Sequence, residues 1–308
     1  MKRHQPSRSE FIEVSRLRYH VRHWGREGAP ILFLVHGWMD VGASFQFLVD
    51  ALEGDWHVIA PDWRGYGETG WAGAEPGANG YWFPDYMADL DALLDHFSPD
   101  APVNLLGHSM GGNIVLFYAG IRPERIRRLV NLEGFGMAET RPEQAPARYA
   151  KWMDQLKEGK RLQTYATVGE VAERLRKSNP RLTKARAEFL APYWSRQLED
   201  GRWEIRGDPA HKLINPILYQ LPEAQACWAR ITAPVLHVEA KQTDAPRWLA
   251  GGKADFTMDA FRSRFDVIKN RKDAIIDQAG HMVHHDQPEK LARLVEAFCL
   301  QEAAPVAR

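Results

Sequence analysis

Short apolar runs alternate with helical patterns along most of this chain. Each run is mostly apolar, which is typical of strands that are buried on both faces of a sheet. The runs cover residues 31–36, 57–62, 103–108, 128–133, 234–239 and 274–279. Amphipathic patterns at 84–97, 113–121 and 288–300 indicate helices between them. This alternation predicts an α/β fold with a doubly wound, mainly parallel sheet.

Two segments depart from the alternation. Residues 11–24 alternate apolar and polar side chains with a break near Ser15, which predicts an antiparallel hairpin at a sheet edge. Residues 137–230 are rich in Arg, Lys, Glu and aromatic residues, have a mostly helical pattern and contain no buried-strand run. We therefore predict a helical cap at 137–230, inserted into an α/β core formed by 1–136 and 231–308.

Composition excludes several classes of partner. The chain has 308 residues, 44% of them hydrophobic, and 40 basic residues balance 40 acidic ones. A net charge of zero gives no electrostatic basis for binding nucleic acid or an anionic membrane. No apolar stretch approaches the length of a membrane span, and no apolar signal region follows the polar first residues. We expect a soluble, cytoplasmic protein that acts on a small molecule, with Cys227 and Cys299 as unpaired thiols; its oligomeric state is left open.

The chemistry most clearly indicated by the sequence centres on Ser109. The order Gly107, His108, Ser109, Met110, Gly111 lies between an apolar run and a helical pattern. A serine in a tight strand-to-helix bend exposes its oxygen, and the flanking glycines avoid collisions that larger residues would cause. Ser109 is therefore the candidate nucleophile, with an ordinary serine in a glycine-rich turn as the alternative.

A serine nucleophile needs a base within hydrogen-bond reach. His281 follows the last apolar run and a glycine, at a strand end where functional groups of an open α/β sheet collect. Two alternatives are a structural histidine and a metal site formed by residues 281–286. No second ligand cluster with suitable spacing is evident, so we expect neither a metal nor a cofactor.

An acyl-transfer site also needs donors for the developing oxyanion. The N–H of Met110 begins the helix after Ser109, and Trp38 follows Gly37 in the turn after the first core run. A plain loop is the alternative for Trp38. In the loop 62–67 the structural interpretation is favoured, with Arg64 paired to a carboxylate that holds the loop.

With these motifs the chain resembles the α/β-hydrolase superfamily. The motifs are HGW (36–38), PDWRGYG (61–67), GHSMGG (107–112) and AGHMVHHDQPE (279–289), in the order found in that superfamily. HGWMD and YWFPDYMADLDALL are similar to a serine-hydrolase-like branch with a cap. The resemblance implies Ser109 as nucleophile, His281 as base, and Trp38 and Met110 as oxyanion donors. It implies no particular substrate, since caps vary on this core.

The acid departs from the commonest pattern of that superfamily. There an Asp follows the strand that corresponds to 234–239, often in a GxxD stretch; here Asp244 is one position late and the Gly is missing. Glu133 ends the run 128–133, and some haloalkane dehalogenases and lactone hydrolases take their acid from that place. We expect Glu133 to be the acid, with Asp244 or Glu239 as alternatives.

These features predict a serine hydrolase that cleaves an ester or similar acyl bond of a small molecule, of the carboxylesterase type. The alternatives are a lactonase or C–C bond hydrolase with the same residues, or a low-turnover ligand receptor on a hydrolase fold. A serine at 109 argues against epoxide hydrolases and dehalogenases, which need a carboxylate there. Trp152 and Trp194 are candidate substrate-binding residues, with packing as the alternative for them and for Tyr193, Tyr219 and Trp228.

Overall fold

The strands and helices of this chain follow one another much as the apolar pattern predicts. A computed structural model describes residues 4–71, 80–250 and 257–301. The strands are β1 (Arg8–Val14), β2 (Leu17–Gly25), β3 (Ile31–Val35), β4 (His57–Pro61), β5 (Val103–His108), β6 (Ile126–Leu132), β7 (Thr164–Tyr165), β8 (Ser195–Gln197), β9 (Trp203–Ile205), β10 (Val235–Ala240) and β11 (Arg271–Ile276). The α-helices are α1 (Gln46–Ala51), α2 (Phe83–Phe97), α3 (Met110–Ile121), α4 (Ala145–Glu158), α5 (Val168–Ser178), α6 (Lys184–Trp194), α7 (Leu221–Trp228), α8 (Ala245–Leu249), α9 (Met258–Arg262), α10 (Val283–Asp286) and α11 (Pro288–Cys299).

Eight strands form one sheet in the order β1-β2-β4-β3-β5-β6-β10-β11. The strands from β4 to β11 in this order pair in parallel, whereas β1 and β2 pair antiparallel at one edge. The edge hairpin turns at Ser15 and Arg16, whose φ angles of 51° and 64° are those of a type I′ turn. The predicted fold class and the predicted hairpin are thus confirmed.

The sheet is covered on both faces, as a doubly wound fold requires. Adjacent residues of β5 show this directly: Leu105 packs with α2 and α3 on one face, and Leu106 packs with α1 and α11 on the other. The last strand lies three residues earlier than the predicted run 274–279. Its polar residues Arg271, Lys272 and Asp273 are partly exposed at the sheet edge, so an apolar pattern could not reveal them.

Between β6 and β10 the chain forms mainly helices, together with a small sheet of strand order β7-β9-β8. Strands of two or three residues are too short to leave an alternating pattern, which explains why the sequence did not reveal them. A separate apolar cluster that includes Val171, Leu175 and Leu190 holds α5 and α6 together. The later helix α7 packs on α3 instead, so closely that a side chain at Gly120 would collide with the carbonyl of Cys227.

Within the described ranges, no helix is both long and apolar enough to cross a membrane.

A buried ion pair fixes the loop that follows β4. Arg64 donates from Nε and Nη2 to the two carboxylate oxygens of Asp89 on α2, both at 2.6 Å. Asp89 is fully buried and also accepts from the Tyr19 hydroxyl. The predicted structural role of Arg64 is confirmed, because this pairing holds the loop against α2.

Asp89→Ala is expected to lower the free energy of unfolding by about 3–5 kcal/mol, because it leaves the Arg64 charge buried without this partner. Denaturant unfolding of both proteins measures the difference. Asp95→Ala is the matched control on the same helix: Asp95 is 66% exposed and 3.2 Å from Arg125, so its loss should cost less than about 1 kcal/mol. Equal effects of the two substitutions would contradict a structural role for the buried pair.

Candidate active site

Ser109 occupies a strained turn between β5 and α3. Its φ of 54° and ψ of −114° lie outside the regions that L-residues favour. Two glycines allow this geometry. A Cβ at Gly107 would lie 2.3 Å from the Gly111 carbonyl oxygen, and one at Gly111 would lie 2.5 Å from the Val35 carbonyl oxygen. The glycines therefore let this strand-to-helix turn, which we call the elbow, close tightly. The turn presents the Ser109 hydroxyl at the carboxyl edge of the sheet.

The structure brings Ser109, His281 and Glu133 into one hydrogen-bonded chain. The Ser109 Oγ lies 2.8 Å from His281 Nε2, and His281 Nδ1 lies 3.1 Å from Glu133 Oε2. The His281 side chain is 19% exposed, whereas that of Glu133 is inaccessible to solvent. A buried carboxylate, an imidazole and a partly exposed hydroxyl are thus arranged in the order that proton transfer from the serine requires.

The Glu133 carboxylate is oriented by two further donors. It accepts hydrogen bonds from the Ala240 N–H and the Thr243 hydroxyl, both at 2.5 Å. Thr243 Oγ1 accepts from the Ala245 N–H, so its own hydrogen is available for Glu133. Burial raises the pKa of Glu133 to about 8, although the hydrogen bonds from Thr243 and Ala240 act to lower it. With the imidazole N–H, three donors surround the two oxygens, and hydrogen bonds of this kind favour the ionised form and so oppose the effect of burial.

His281 is held by its backbone as well as by Glu133. Its carbonyl oxygen lies 2.9 Å from His108 Nε2, and the N–H of the preceding Gly280 donates to Asp286 at 2.8 Å. Burial lowers the pKa of His281 to about 4, although the charges of Asp244 and Asp40 raise it. The imidazole is therefore neutral near pH 7 and can accept a proton from the serine.

The other carboxylates considered from the sequence lie in different surroundings. Asp244 is exposed in the loop after β10. Glu239 is buried and pairs with Arg262 at 2.7 Å. Burial opposes ionisation of Glu239, but hydrogen bonds from His237 and Arg262 lower its pKa to about 2. The geometry thus favours Glu133 over both alternatives as the partner of His281.

The loop after β3 passes directly beside the serine. A Cβ at Gly37 would lie 3.0 Å from Ser109 Cβ, a tight contact, so glycine suits the close approach of the backbone before Trp38 to the serine. Met110 is the first residue of α3, and its N–H therefore has no partner carbonyl within the helix. The Trp38 side chain is 54% exposed, and its indole N–H donates to the His211 carbonyl at 3.3 Å. The residue before Trp38 thus lies beside Ser109, and Met110 follows the serine directly.

The aromatic residues of 137–230 have different environments. Trp194 packs in the cluster that holds α5 and α6, and its indole N–H donates to the Ser44 hydroxyl at 3.0 Å. Trp228 is fully buried on the core, between Phe117 and Phe265. Trp152 lies half-buried on α4, a helix without a fully buried residue, and its ring centre is 6.3 Å from that of Trp82. Trp152 is thus freer than Trp194 or Trp228 to contact a ligand.

Two features of the site were not predicted from the sequence. Thr243 orients Glu133, yet nothing in the loop sequence marks this threonine. His284 is fully buried and lies near Asp40 and His108. Only spatial proximity could have revealed this group, because the three residues come from distant parts of the chain.

The comparisons with known proteins agree with the observed fold. A family model described as the alpha/beta hydrolase fold matches residues 30–288. The chain belongs to the α/β-hydrolase family. This α/β hydrolase is 28% identical over 92% of its length to a serine hydrolase-like protein of Danio rerio, covering 85% of that protein. It is 30% identical to a 3-hydroxybutyrate-oligomer hydrolase of Cupriavidus necator, with 75% of this chain and 78% of the relative covered.

A solved structure supports the same fold for this hydrolase. The thioesterase domain from the curacin biosynthetic pathway superposes with a TM-score of 0.81, covering 94% of this chain and 99% of that one. Their sequences are 20% identical, so this likeness concerns the fold alone. The resemblance inferred from the four motifs is confirmed.

Proposed function

We propose that this protein is a serine hydrolase that cleaves an ester or similar acyl bond of a small molecule, with Ser109, His281 and Glu133 as nucleophile, base and acid. The observation that carries the proposal is the continuous chain from the Ser109 hydroxyl to His281 at 2.8 Å and on to Glu133 at 3.1 Å. The strained elbow strengthens it, since such strain concentrates at functional residues.

The proposed reaction has two acyl-transfer steps. The Ser109 Oγ attacks the acyl carbon while its proton moves to His281 Nε2, and the backbone N–H groups of Met110 and Trp38 receive the oxyanion. The alcohol then leaves with the proton from Nε2, and the acyl group remains on Ser109. Water attacks this ester, again through His281, and releases the acid. Glu133 keeps the other proton of the imidazole on Nδ1 throughout.

The relatives support an acyl bond as the target. The Cupriavidus necator relative is named for an oligomer of a hydroxy acid, whose units are joined by ester bonds. A serine at position 109, in place of a carboxylate, supports acyl transfer rather than opening of an epoxide.

Two measurements on one preparation test the proposal. A fluorophosphonate probe should label the protein at Ser109, and p-nitrophenyl esters of increasing acyl length should be hydrolysed at a steady rate. Three substrate panels, of esters, lactones and compounds with a hydrolysable C–C bond, cover the enzymatic alternatives. Labelling of Ser109 without turnover of any of them would instead support the ligand-receptor alternative. The absence of both labelling and turnover in folded protein would contradict the assignment of Ser109.

Trp152→Ala is expected to raise KM for longer acyl chains by about fivefold or more, because a half-buried indole on α4 is placed to contact substrate rather than the core. The rate of labelling by a small probe should change less than about twofold. Trp194→Ala is the matched control and should lower thermal stability without changing acyl preference, since Trp194 packs within the apolar cluster of α5 and α6. Unchanged acyl preference in Trp152→Ala would place the substrate pocket elsewhere.

A further inference from the structure

Three buried side chains meet behind the proposed active site. Asp40 lies in the loop after β3, His108 ends β5, and His284 lies in α10. One ligand atom from each falls within 4.8 Å of the others, and Asp40 Oδ2 is 3.7 Å from His284 Nε2. All three residues are at most 2% exposed. We call this group the Asp-His-His cluster.

Four polar atoms of these three residues are buried without a hydrogen-bond partner among the described residues. These atoms are Asp40 Oδ2, His108 Nδ1 and both ring nitrogens of His284. An unpaired buried polar group destabilises the folded protein, and an unpaired charged group does so more strongly. Four such atoms in one place require a common explanation.

The surrounding hydrogen bonds determine which polar atoms of His108 and Asp40 remain available to a ligand. His108 Nε2 lies 2.9 Å from the His281 carbonyl oxygen, which only accepts, so the hydrogen of a neutral His108 is on Nε2. His108 Nδ1 therefore carries a lone pair, which is buried without a partner among the described residues. Asp40 Oδ1 accepts from the Val41 N–H at 2.8 Å and from the Ser44 hydroxyl, which leaves Oδ2 facing His284. A lone pair and a carboxylate oxygen thus lie buried in one group, an arrangement that a cation stabilises.

We propose that Asp40, His108 and His284 bind one divalent transition-metal ion of the zinc type. Two imidazoles and one carboxylate form a ligand set that such ions use, whereas Mg²⁺ and Ca²⁺ prefer oxygen ligands alone. Ligand atoms around tetrahedral zinc lie about 3.3 Å apart, so the side chains need to close by up to about 1.5 Å. The His281 carbonyl provides the outer hydrogen bond that commonly orients a metal-bound histidine.

An ion in this cluster would connect three segments that carry the proposed chemistry. Asp40 lies two residues after Trp38, His108 immediately precedes Ser109, and His284 lies three residues after His281. Ion binding is therefore expected to stabilise the folded protein, with a melting temperature that rises as the free ion concentration rises.

The test uses full-length protein that has been stripped with a chelator and titrated with Co²⁺. We expect one Co²⁺ per chain, visible absorption bands of a low-coordinate nitrogen and oxygen site, and their loss when Zn²⁺ competes. Asp40→Asn and His284→Gln should each weaken Co²⁺ binding by about tenfold or more, since even outer-shell changes cost about that much. His96→Gln, on the exposed face of α2, is the control and should bind Co²⁺ as the parent protein does.

Two results would overturn the proposal. The first is a folded parent protein that binds no stoichiometric Co²⁺, as expected if an ordered water occupies the cluster. The second is Co²⁺ binding that survives both substitutions, which would locate the ion elsewhere. The asparagine side chain can keep the contacts of Oδ1, so we expect Asp40→Asn to fold. This variant therefore still tests Co²⁺ binding if His284→Gln does not fold. None of these readouts depends on hydrolysis, so the metal proposal and the proposed function can fail separately.

Discussion

Ser109→Ala is expected to lower kcat for ester hydrolysis by about 10⁴-fold or more, with little change in thermal stability. The substitution removes the only atom that is proposed to form the acyl-enzyme. It leaves the elbow intact, because the alanine Cβ occupies the position of the serine Cβ beside Gly37. Steady-state hydrolysis of a p-nitrophenyl ester and a thermal melt of the same sample measure the two effects.

Ser263→Ala is the control for this experiment. Ser263 is an exposed serine whose hydroxyl donates to the Ala260 carbonyl at 3.0 Å, far from the elbow in sequence. Its loss should leave kcat within about twofold, as is usual for surface substitutions. Ester turnover above about 1% of the parent rate in Ser109→Ala, in a preparation free of parent protein, would remove Ser109 from the nucleophile role.

Glu133→Gln is expected to lower kcat by about 10³–10⁴-fold, whereas Asp244→Asn should be nearly normal. The glutamine amide can donate to His281 Nδ1, which would move the imidazole hydrogen to Nε2 and leave no acceptor for the serine proton. Asp244 is exposed, and its charge acts to raise the pKa of His281. Measured kcat values at equal foldedness, checked by circular dichroism, compare the two variants.

The ranking of these variants decides which carboxylate is the acid. A severe loss in Asp244→Asn with a mild one in Glu133→Gln would transfer the role to Asp244. Mild losses in both would mean that neither carboxylate orients His281. Thr243→Val offers an independent check: it removes one donor to Glu133 and should reduce kcat by less than Glu133→Gln does.

The strands and the elbow could be predicted because their signals are local. A strand buried on both faces must be apolar at nearly every position, so the runs that became β3, β4, β5, β6 and β10 stand out in the sequence. The sequence also predicts the elbow at Ser109, since the strand, the flanking glycines and the helix follow one another directly. No such signal marks the start of β11, because its first residues are polar and partly exposed. The small strands β7, β8 and β9 have too few residues to leave a pattern.

The acid was harder to predict because its partners come from different strands. Glu133 follows β6, and its contacts Ala240 and Thr243 lie at and beyond the end of β10. These ends meet because β6 and β10 are neighbours in the sheet, where the Glu133 N–H donates to the Val238 carbonyl at 2.9 Å. From the sequence, the position of Glu133 at the end of an apolar run and a resemblance favoured it, but Asp244 and Glu239 remained possible.

Local chemistry along the chain was therefore enough to identify the fold class and the candidate residues Ser109 and His281, since a strand, a turn and a helix are specified by neighbouring residues. Strand order and the packing of α10 decided the rest. They brought Glu133 rather than Asp244 to the imidazole, and they gathered Asp40, His108 and His284 into one buried group. Contacts of this kind join residues that are far apart in sequence, and the free energy of burying them depends on the whole fold. A local sequence pattern therefore does not predict them.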